Sequence, residues 1–180
     1  MKLSPSLENN PDIDSWLQFH SDGKITVSTG KVELGQKLIT AFTVIVAEEL
    51  DVDPGRISVI TAGTSGSPNE GYTAGSNSME SSGMALRQVA AKVRQVLLEK
   101  ASHQLGVPVE NLNVDDGEIS SSLPNQSVTY MELIGGKHFN IKISEDVVPK
   151  RHDQYHLIGN KVSGIGYEDL VTGATTFVHD

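Results

Sequence analysis

One apolar stripe near the middle of the chain constrains the fold more than any other feature. Its residues recur at helical spacing, and the pattern ends at Gly106 and Pro108, which commonly follow the end of a helix. Asn77, with Glu80 three residues later, resembles a capping box that would begin this helix. We therefore predict that it is the longest helix of the chain. The stripe consists of Leu86, Val89, Val93, Leu97, Ala101 and Leu105.

The other periodic segments predict a second helix and several strands. Apolar residues cover several faces of Leu38–Leu50, which indicates a largely buried helix, and a short helix is expected near Tyr130–Ile134. Together these elements predict an α+β fold in which two principal helices pack on a small mixed β-sheet. The predicted strands are a hairpin of residues 16–20 and 25–29, then residues 57–61, a pair at 112–114 and 118–119, residues 139–143, and residues 171–178.

Composition narrows the class of protein and its partners. A length of 180 residues with 37% hydrophobic content is sufficient for one compact domain. A net charge of -9 repels a polyanion, so no nucleic acid is expected as a partner. The chain has no cysteine, so any iron–sulfur cluster must lie on another polypeptide. Neither a signal peptide nor a membrane segment is expected, which leaves cytoplasm and periplasm both open.

Two strand–loop–helix segments are candidates for binding an anion. The first, residues 30–37, is called the motif loop and reads Gly30-Lys31-Val32-Glu33-Leu34-Gly35-Gln36-Lys37. It would place backbone N–H groups, the positive end of a helix dipole and Gln36 at one point. The second, residues 63–76, is called the glycine-rich loop; its glycines allow close approach and its hydroxyls offer hydrogen bonds. Either alone is more often a plain connection or a mobile loop, but two in one small domain favour a binding function.

Other candidates for chemistry are weaker. His152 and His156 have the spacing of two zinc ligands on a helix, but their neighbours do not favour a helix, so no metal site is predicted. Glu33, Glu48 and Glu49 could serve as acids or bases, although carboxylates beside a helix are usually solvated or structurally paired. No pairing of a nucleophile with a base has a specific spacing.

The motif loop resembles the glycine–x–x–glutamate–methionine–glycine–glutamine motif of molybdopterin-binding subunits in the xanthine dehydrogenase and aldehyde oxidase superfamily. Further segments agree with that family in order and spacing, and four linked segments over about 70 residues are more specific than one motif. The branch that the chain resembles most contains the isoquinoline 1-oxidoreductase β-subunit and the nicotinate dehydrogenase large subunit. The further segments are Ala47-Glu48-Glu49-Leu50-Asp51-Val52, Ile57-Ser58-Val59, residues 68–76, and Gly83-x-Ala85-x-Arg87-Gln88.

This resemblance implies a part of a molybdenum hydroxylase, which oxidatively hydroxylates an aldehyde or an N-heterocycle with a molybdenum cofactor. It implies that Gln36 is the catalytic residue that reaches a ligand of molybdenum, and that no residue of this chain binds the metal directly. Electrons would leave through an iron–sulfur subunit to a cytochrome or flavin acceptor. The family's glutamate base has no counterpart here, so we expect the chain alone to bind no cofactor and to be inactive. The implied cofactor-binding residues are Gly35, Gln36, Lys37, Gly71, Thr73, Ala74, Gly75 and Ser76.

The resemblance also implies a domain boundary. Residues 1–148 would be part of the molybdopterin-binding domain, and residues 149–180 a linker and the start of an α/β-hammerhead-like domain. Three positions depart from the family: Lys37 replaces a glycine, Gly63 an aspartate, and Gly164-Ile165-Gly166 an arginine-containing run.

Two other functions stay open. One is a non-catalytic module, free-standing or for assembly, derived from the same family. The other is a phosphate or nucleotide binder, which ranks last because the Gly-x-x-x-x-Gly-Lys-Ser/Thr pattern is missing. The remaining domains of the subunit are the expected partners, and apolar surface intended for them could instead support a homodimer.

Overall fold

The computed structural model describes residues 1–63, 66–123, 126–134 and 136–174. No helix in these ranges is long and apolar enough to cross a membrane. A π-helical turn, Ser78–Gly83, leads directly into the longest helix. The helices are α1 (Pro5–Asn9), α2 (Leu38–Leu50), α3 (Met84–Leu105), α4 (Tyr130–Ile134) and α5 (Tyr167–Thr172), and the strands are β1 (Leu17–Phe19), β2 (Ile25–Thr29), β3 (Ile57–Thr61), β4 (Leu112–Asp115), β5 (Glu118–Ser121) and β6 (Ser127–Thr129).

The strands form two sheets of three strands each. In the first, β1 pairs antiparallel and β3 pairs parallel with β2, which gives the mixed sheet expected from the sequence. Helix α2 is the crossover that the parallel pairing of β2 and β3 requires. The strand pair predicted near residue 112 is confirmed, but it joins β6 in a separate antiparallel sheet. Asp116 and Gly117 both have positive φ, as a tight turn between β4 and β5 demands.

The core lies where α2 packs against both α3 and β3. Trp16, Phe42 and Leu86 are completely buried there, and the burial of each such side chain contributes roughly 2 kcal/mol. The apolar stripe of α3 is confirmed, since it is buried from Leu86 to Ala101 and partly buried at Leu105. The α+β class and the two principal helices are therefore as predicted.

The N-terminal segment is attached to α3 by one buried amide side chain. Gln88 is fully buried, accepts a hydrogen bond from the backbone N–H of Ser4 at 2.8 Å and donates one to the carbonyl of Lys2 at 2.9 Å. A buried amide with both ends satisfied costs little and fixes its partners. The position of α1 therefore depends on a residue in the first turns of α3.

Three expectations about local structure were wrong. Asn77 already has helical backbone angles and makes no side-chain cap, so the capping box is absent and a π-helical turn begins the helix instead. Residues 139–143 form only an isolated bridge between Lys142 and Asp12, because Asp14 takes the N–H groups of Phe139 and Asn140. The predicted strand at 171–178 begins within α5, which glycines with positive φ bound on both sides. Its last residues, 175–178, lie outside the described ranges.

The predicted linker is irregular but is attached firmly to α2. The backbone N–H groups of His156, Leu157 and Ile158 donate to the buried carboxylate of Glu48. His152 lies in a short 3-10 helix rather than an α-helix. Within the described ranges, no group of three potential metal-ligating side chains occurs.

The neighbouring carboxylate binds the same segment at a second point. Glu49 is buried, lies 2.9 Å from Arg87 Nε and accepts the N–H of Lys150 at 3.0 Å. Of the two usual states of such carboxylates, solvated or structurally paired, both Glu48 and Glu49 are structurally paired.

Candidate functional site

The motif loop and the glycine-rich loop leave the same edge of the mixed sheet. They follow β2 and β3, which are adjacent and parallel, so their carboxyl ends lie side by side. The N–H of Val32 donates to Thr73 Oγ1 at 2.8 Å. A Cβ added to Gly30 would lie only 2.3 Å from the carbonyl oxygen of Pro68, so only glycine permits this approach. From the sequence we expect residues 34–37 to meet the glycine-rich loop, with Gln36 at the mouth of the cleft between them. The two loops do come together, but through residues 30–32, and Gln36 makes its hydrogen bonds within the motif loop.

One side chain from each loop binds the other loop, Glu70 from the glycine-rich loop and Lys31 from the motif loop. The carboxylate of Glu70 accepts hydrogen bonds from Thr29 Oγ1, from the N–H of Gly30 at 2.9 Å and from Ser6 Oγ. The ammonium of Lys31, a residue only 3% exposed, donates to the carbonyls of Glu70 at 2.7 Å and Tyr72 at 2.9 Å. Sequence reasoning assigned no role to Lys31 or Glu70, although a lysine at the end of a buried strand was a signal that could have been noticed.

At the motif loop, the start of α2 is capped by the chain itself. Glu33 accepts the backbone N–H groups of Gly35 at 2.9 Å, Lys37 at 3.0 Å and Ile39 at 3.0 Å. Partial burial alone would raise the pKa of Glu33, but these hydrogen bonds outweigh it and hold the pKa below its ordinary value. The place that the sequence suggested for an external anion is therefore taken by a carboxylate of this chain.

Gln36 and Lys37 are also engaged within the chain. The side-chain amide of Gln36 donates to the carbonyl of Val32 at 2.8 Å and accepts the N–H of Leu34. Lys37 has a positive φ of 67°, and its ammonium lies 3.1 Å from the centroid of the Tyr167 ring. Gln36 therefore bonds to Val32, the residue whose N–H meets the glycine-rich loop, whereas the ammonium of Lys37 points to α5.

An apolar cavity separates the motif loop from the C-terminal segment. Its volume is about 580 Å³, and the N–H of Ile165 donates to Thr40 Oγ1 beside it. The motif loop and α5 thus form its two walls, on which Gly35 and Lys37 lie but Gln36 does not. The cavity is lined by Glu33, Leu34, Gly35, Lys37, Ile39, Ile165, Gly166 and Leu170.

The glycine-rich loop, in contrast, is open. Gly71 and Gly75 have positive φ, and no atom lies within 4 Å of a Cβ built on either. Ser76 adopts the same left-handed region at φ 57°. Ala74, Gly75 and Ser76 are exposed, and Asn77 supplies no cap for the helical turns that follow. The loop therefore presents main chain and an uncapped helix start, where N–H groups and the helix dipole favour an anion.

The mixed sheet with two helices packed on it defines an α+β domain, in which a glycine-rich loop leads into an uncapped helix. The sequence profile of the family described as "Molybdopterin cofactor-binding domain" matches residues 2–173. The chain belongs to this family.

Named relatives and solved structures agree with this assignment. A nicotinate dehydrogenase subunit of Pseudomonas putida is 33% identical over 99% of this chain, and the β-subunit of isoquinoline 1-oxidoreductase of Brevundimonas diminuta is 35% identical over 66% of it. CO dehydrogenase from Oligotropha carboxidovorans superimposes with a TM-score of 0.58 at 27% identity, over 66% of this chain and 15% of that one. The chain spans 15% and 16% of the lengths of the two curated relatives.

Proposed function

We propose that the chain is part of a molybdenum hydroxylase that oxidatively hydroxylates an aldehyde or an N-heterocycle, and that it contributes one wall of the molybdopterin site. One observation carries the assignment of that wall. Of the two helix starts that the sequence singled out, the start of α2 is capped by Glu33, whereas the start after Ser76 is open. The open helix start is therefore the better binding site for the phosphate of the cofactor.

The glycine-rich loop would bind the phosphate and pterin part of the cofactor. Gly71, Thr73, Ala74, Gly75 and Ser76 would hold its phosphate and pterin through main-chain N–H groups and hydroxyls. When bound, the cofactor supplies the two-electron oxidation and the transfer of oxygen derived from water.

On the other side of the site, Gly35, Gln36 and Lys37 would line the approach to the metal. In that arrangement the amide of Gln36 releases Val32 and Leu34, which it now binds, and turns outward to donate a hydrogen bond. In this role Gln36 would position groups around the metal through hydrogen bonds and would not bind the metal itself.

The rest of the activity requires other polypeptide. We propose that the remaining domains of the subunit close the site, and that an iron–sulfur subunit carries electrons to a cytochrome or flavin acceptor. The relatives are themselves named as subunits, and this chain has no cysteine to hold a cluster. A non-catalytic module of the same family is the second candidate, supported by the internal capping of the motif loop.

The test is to tag the protein at its native locus and to measure molybdenum and pterin in the purified complex, together with dye-linked oxidation of nicotinate and of aldehydes. We expect stoichiometric molybdenum, a large loss of it in Gly75→Val, and little change in Gly106→Val, a matched glycine with positive φ and open surroundings at the far end of α3. A complex without molybdenum would contradict the proposal and favour the non-catalytic module.

A further inference from the structure

The ammonium of Lys31 controls the direction of two peptide groups in the glycine-rich loop. It is buried and donates to the carbonyls of Glu70 and Tyr72, which flank Gly71. The carbonyl and the N–H of a trans peptide point in opposite directions, and the described chain has no cis peptide bond. Because both carbonyls point inward to Lys31, the N–H groups of Gly71 and Thr73 point away from it, toward the exposed side of the loop.

These outward N–H groups are largely free to bind a ligand. The N–H of Gly71 makes one long contact, 3.3 Å to Asn69 Oδ1, which is beyond the usual range for an N–H donor. Among the described residues, no backbone carbonyl accepts a hydrogen bond from the N–H of Thr73. A cation bound to the carbonyl of a peptide polarises it and makes its N–H a stronger donor.

Lys31 forms no direct ion pair among the described residues. Among the described residues, no carboxylate oxygen lies within 4 Å of its ammonium. The carboxylate of Glu70 is bound instead to Ser6, Thr29 and Gly30. The other lysine near the site, Lys37, lies over the Tyr167 ring on the opposite wall.

We propose that Lys31 is a positioning residue that turns and polarises the N–H groups of Gly71 and Thr73 to receive an anionic phosphate group. This inference rests on the proposed function and deepens it, because it names the residue that makes the glycine-rich loop electropositive. Lys31 acts through the peptide groups and does not itself touch the phosphate.

The test uses the full chain labelled with 15N and inorganic phosphate as the probe. Amide shifts of residues 68–76 are followed during phosphate titration of the wild type, Lys31→Gln and Lys31→Arg. Gln keeps one hydrogen bond without the charge, and Arg keeps the charge. Lys24→Gln is the matched control, since Lys24 is exposed and its ammonium donates to the carbonyl of Gly55 on another part of the surface.

We expect phosphate to shift Gly71, Thr73 and neighbouring amides in the wild type. Lys31→Gln should weaken binding about tenfold, the order expected for loss of one nearby charge in a partly exposed site. Lys31→Arg should restore most of the affinity, and Lys24→Gln should bind as the wild type does. If Lys31 served only to support the fold of the loop, Lys31→Arg and Lys31→Gln would affect phosphate affinity equally.

The outcomes separate the two proposals. Equal phosphate binding by wild type and Lys31→Gln would overturn the role of Lys31 but leave the proposed phosphate site in the glycine-rich loop intact. If phosphate shifts no amide of residues 68–76 in the wild type, the proposed phosphate site itself is wrong. If Lys31→Gln fails to fold, the side-chain 15N resonance of Lys31 in the wild type replaces it. That resonance should move with phosphate while that of Lys24 stays still, and the reverse would overturn the inference.

Discussion

Oε2 of Glu33 lies 3.0 Å from the backbone nitrogen of Ile39. This hydrogen bond places a carboxylate of the chain in the first turn of α2, where the helix dipole stabilises negative charge. The motif loop is therefore folded around its own glutamate, and its conformation depends on the charge of that residue.

Replacing Glu33 with Ala should lower the free energy of unfolding at pH 7 by about 1 kcal/mol, as for other lost caps. The folded-state pKa of Glu33 is lowered, so its contribution is present above the ordinary value of 4.5 and is lost as pH falls through the lower folded value. Urea unfolding at pH 7 and pH 3 measures the difference. Glu145→Ala, at an exposed site, is the control; a difference between Glu33→Ala and the wild type that is the same at both pH values would contradict the prediction.

Glu48→Gln should cost roughly 2–4 kcal/mol, because the buried carboxylate holds several backbone N–H groups and lies near the ammonium of Lys150. Burial raises the pKa of Glu48, but the N–H groups of Ile158, His156 and Leu157, with the charge of Lys150, outweigh it and lower the pKa. The stability that Glu48 supplies is accordingly present at neutral pH and lost in acid. Urea unfolding and proteolysis within residues 150–160 both report it.

Two further variants serve as comparisons for Glu48→Gln. Burial raises the pKa of Glu49 despite the N–H of Lys150 and the guanidinium of Arg87, so its ionised form is less favoured and Glu49→Gln should cost less at pH 7 than Glu48→Gln. Glu99 is exposed on α3, and Glu99→Gln should leave stability unchanged. A larger loss in Glu49→Gln than in Glu48→Gln would count against our account of the attachment.

Gly30→Ala should destabilise the protein by roughly 2 kcal/mol and shift the amides of residues 68–76, because the new methyl group would collide with Pro68. Gly106→Ala is a useful comparison, since that site has open space and only the strain of a positive φ, about 1 kcal/mol. Thermal unfolding and amide spectra distinguish them. Undisturbed loop amides in Gly30→Ala would show that the two loops do not touch as described.

Self-association through the loops and α5 is expected from their exposed apolar side chains. Leu34 is 70% and Tyr72 93% exposed, and Val171 on α5 is 80% exposed; each could bury apolar surface against a second molecule. Light scattering at two ionic strengths should detect association that increases with salt, because the net charge of -9 opposes it at low salt. Leu34→Ser should reduce it and Leu123→Ser, at another exposed site, should not. A monomer under both conditions would be the opposite result.

The regular elements were predictable because their signals are local. The stripe from Leu86 to Leu105 and the alternation in Ile25–Thr29 depend only on helix and strand periodicity, and both elements form where the pattern indicates. The two candidate loops could also be found, since each is a glycine-containing break between a strand and a helix. Their meeting follows from the parallel pairing of β2 and β3.

The state of each loop could not be predicted, because it depends on where individual side chains point. Glu33 stands in the sequence as a motif residue, and nothing in its spacing indicates that its carboxylate accepts the N–H of Lys37, which adopts the αL conformation at the start of α2. The role of Lys31 depends on carbonyls about forty residues away, and the attachment of Ile158 on a glutamate 110 residues earlier. Periodicity holds no information at such separations.

The buried amide of Gln88 has a consequence for synthesis of the protein. During synthesis Ser4 is made long before its hydrogen-bond partner, which lies 84 positions later in the sequence. Until that part of α3 has been translated, the N–H of Ser4 and the carbonyl of Lys2 lack their native partner, although Ser6 on α1 can already reach Glu70 and the β1–β2 hairpin can already pair. This segment therefore gains its full set of contacts only after residue 88 has been made, and a translational pause before that point would leave it more exposed to proteases and chaperones.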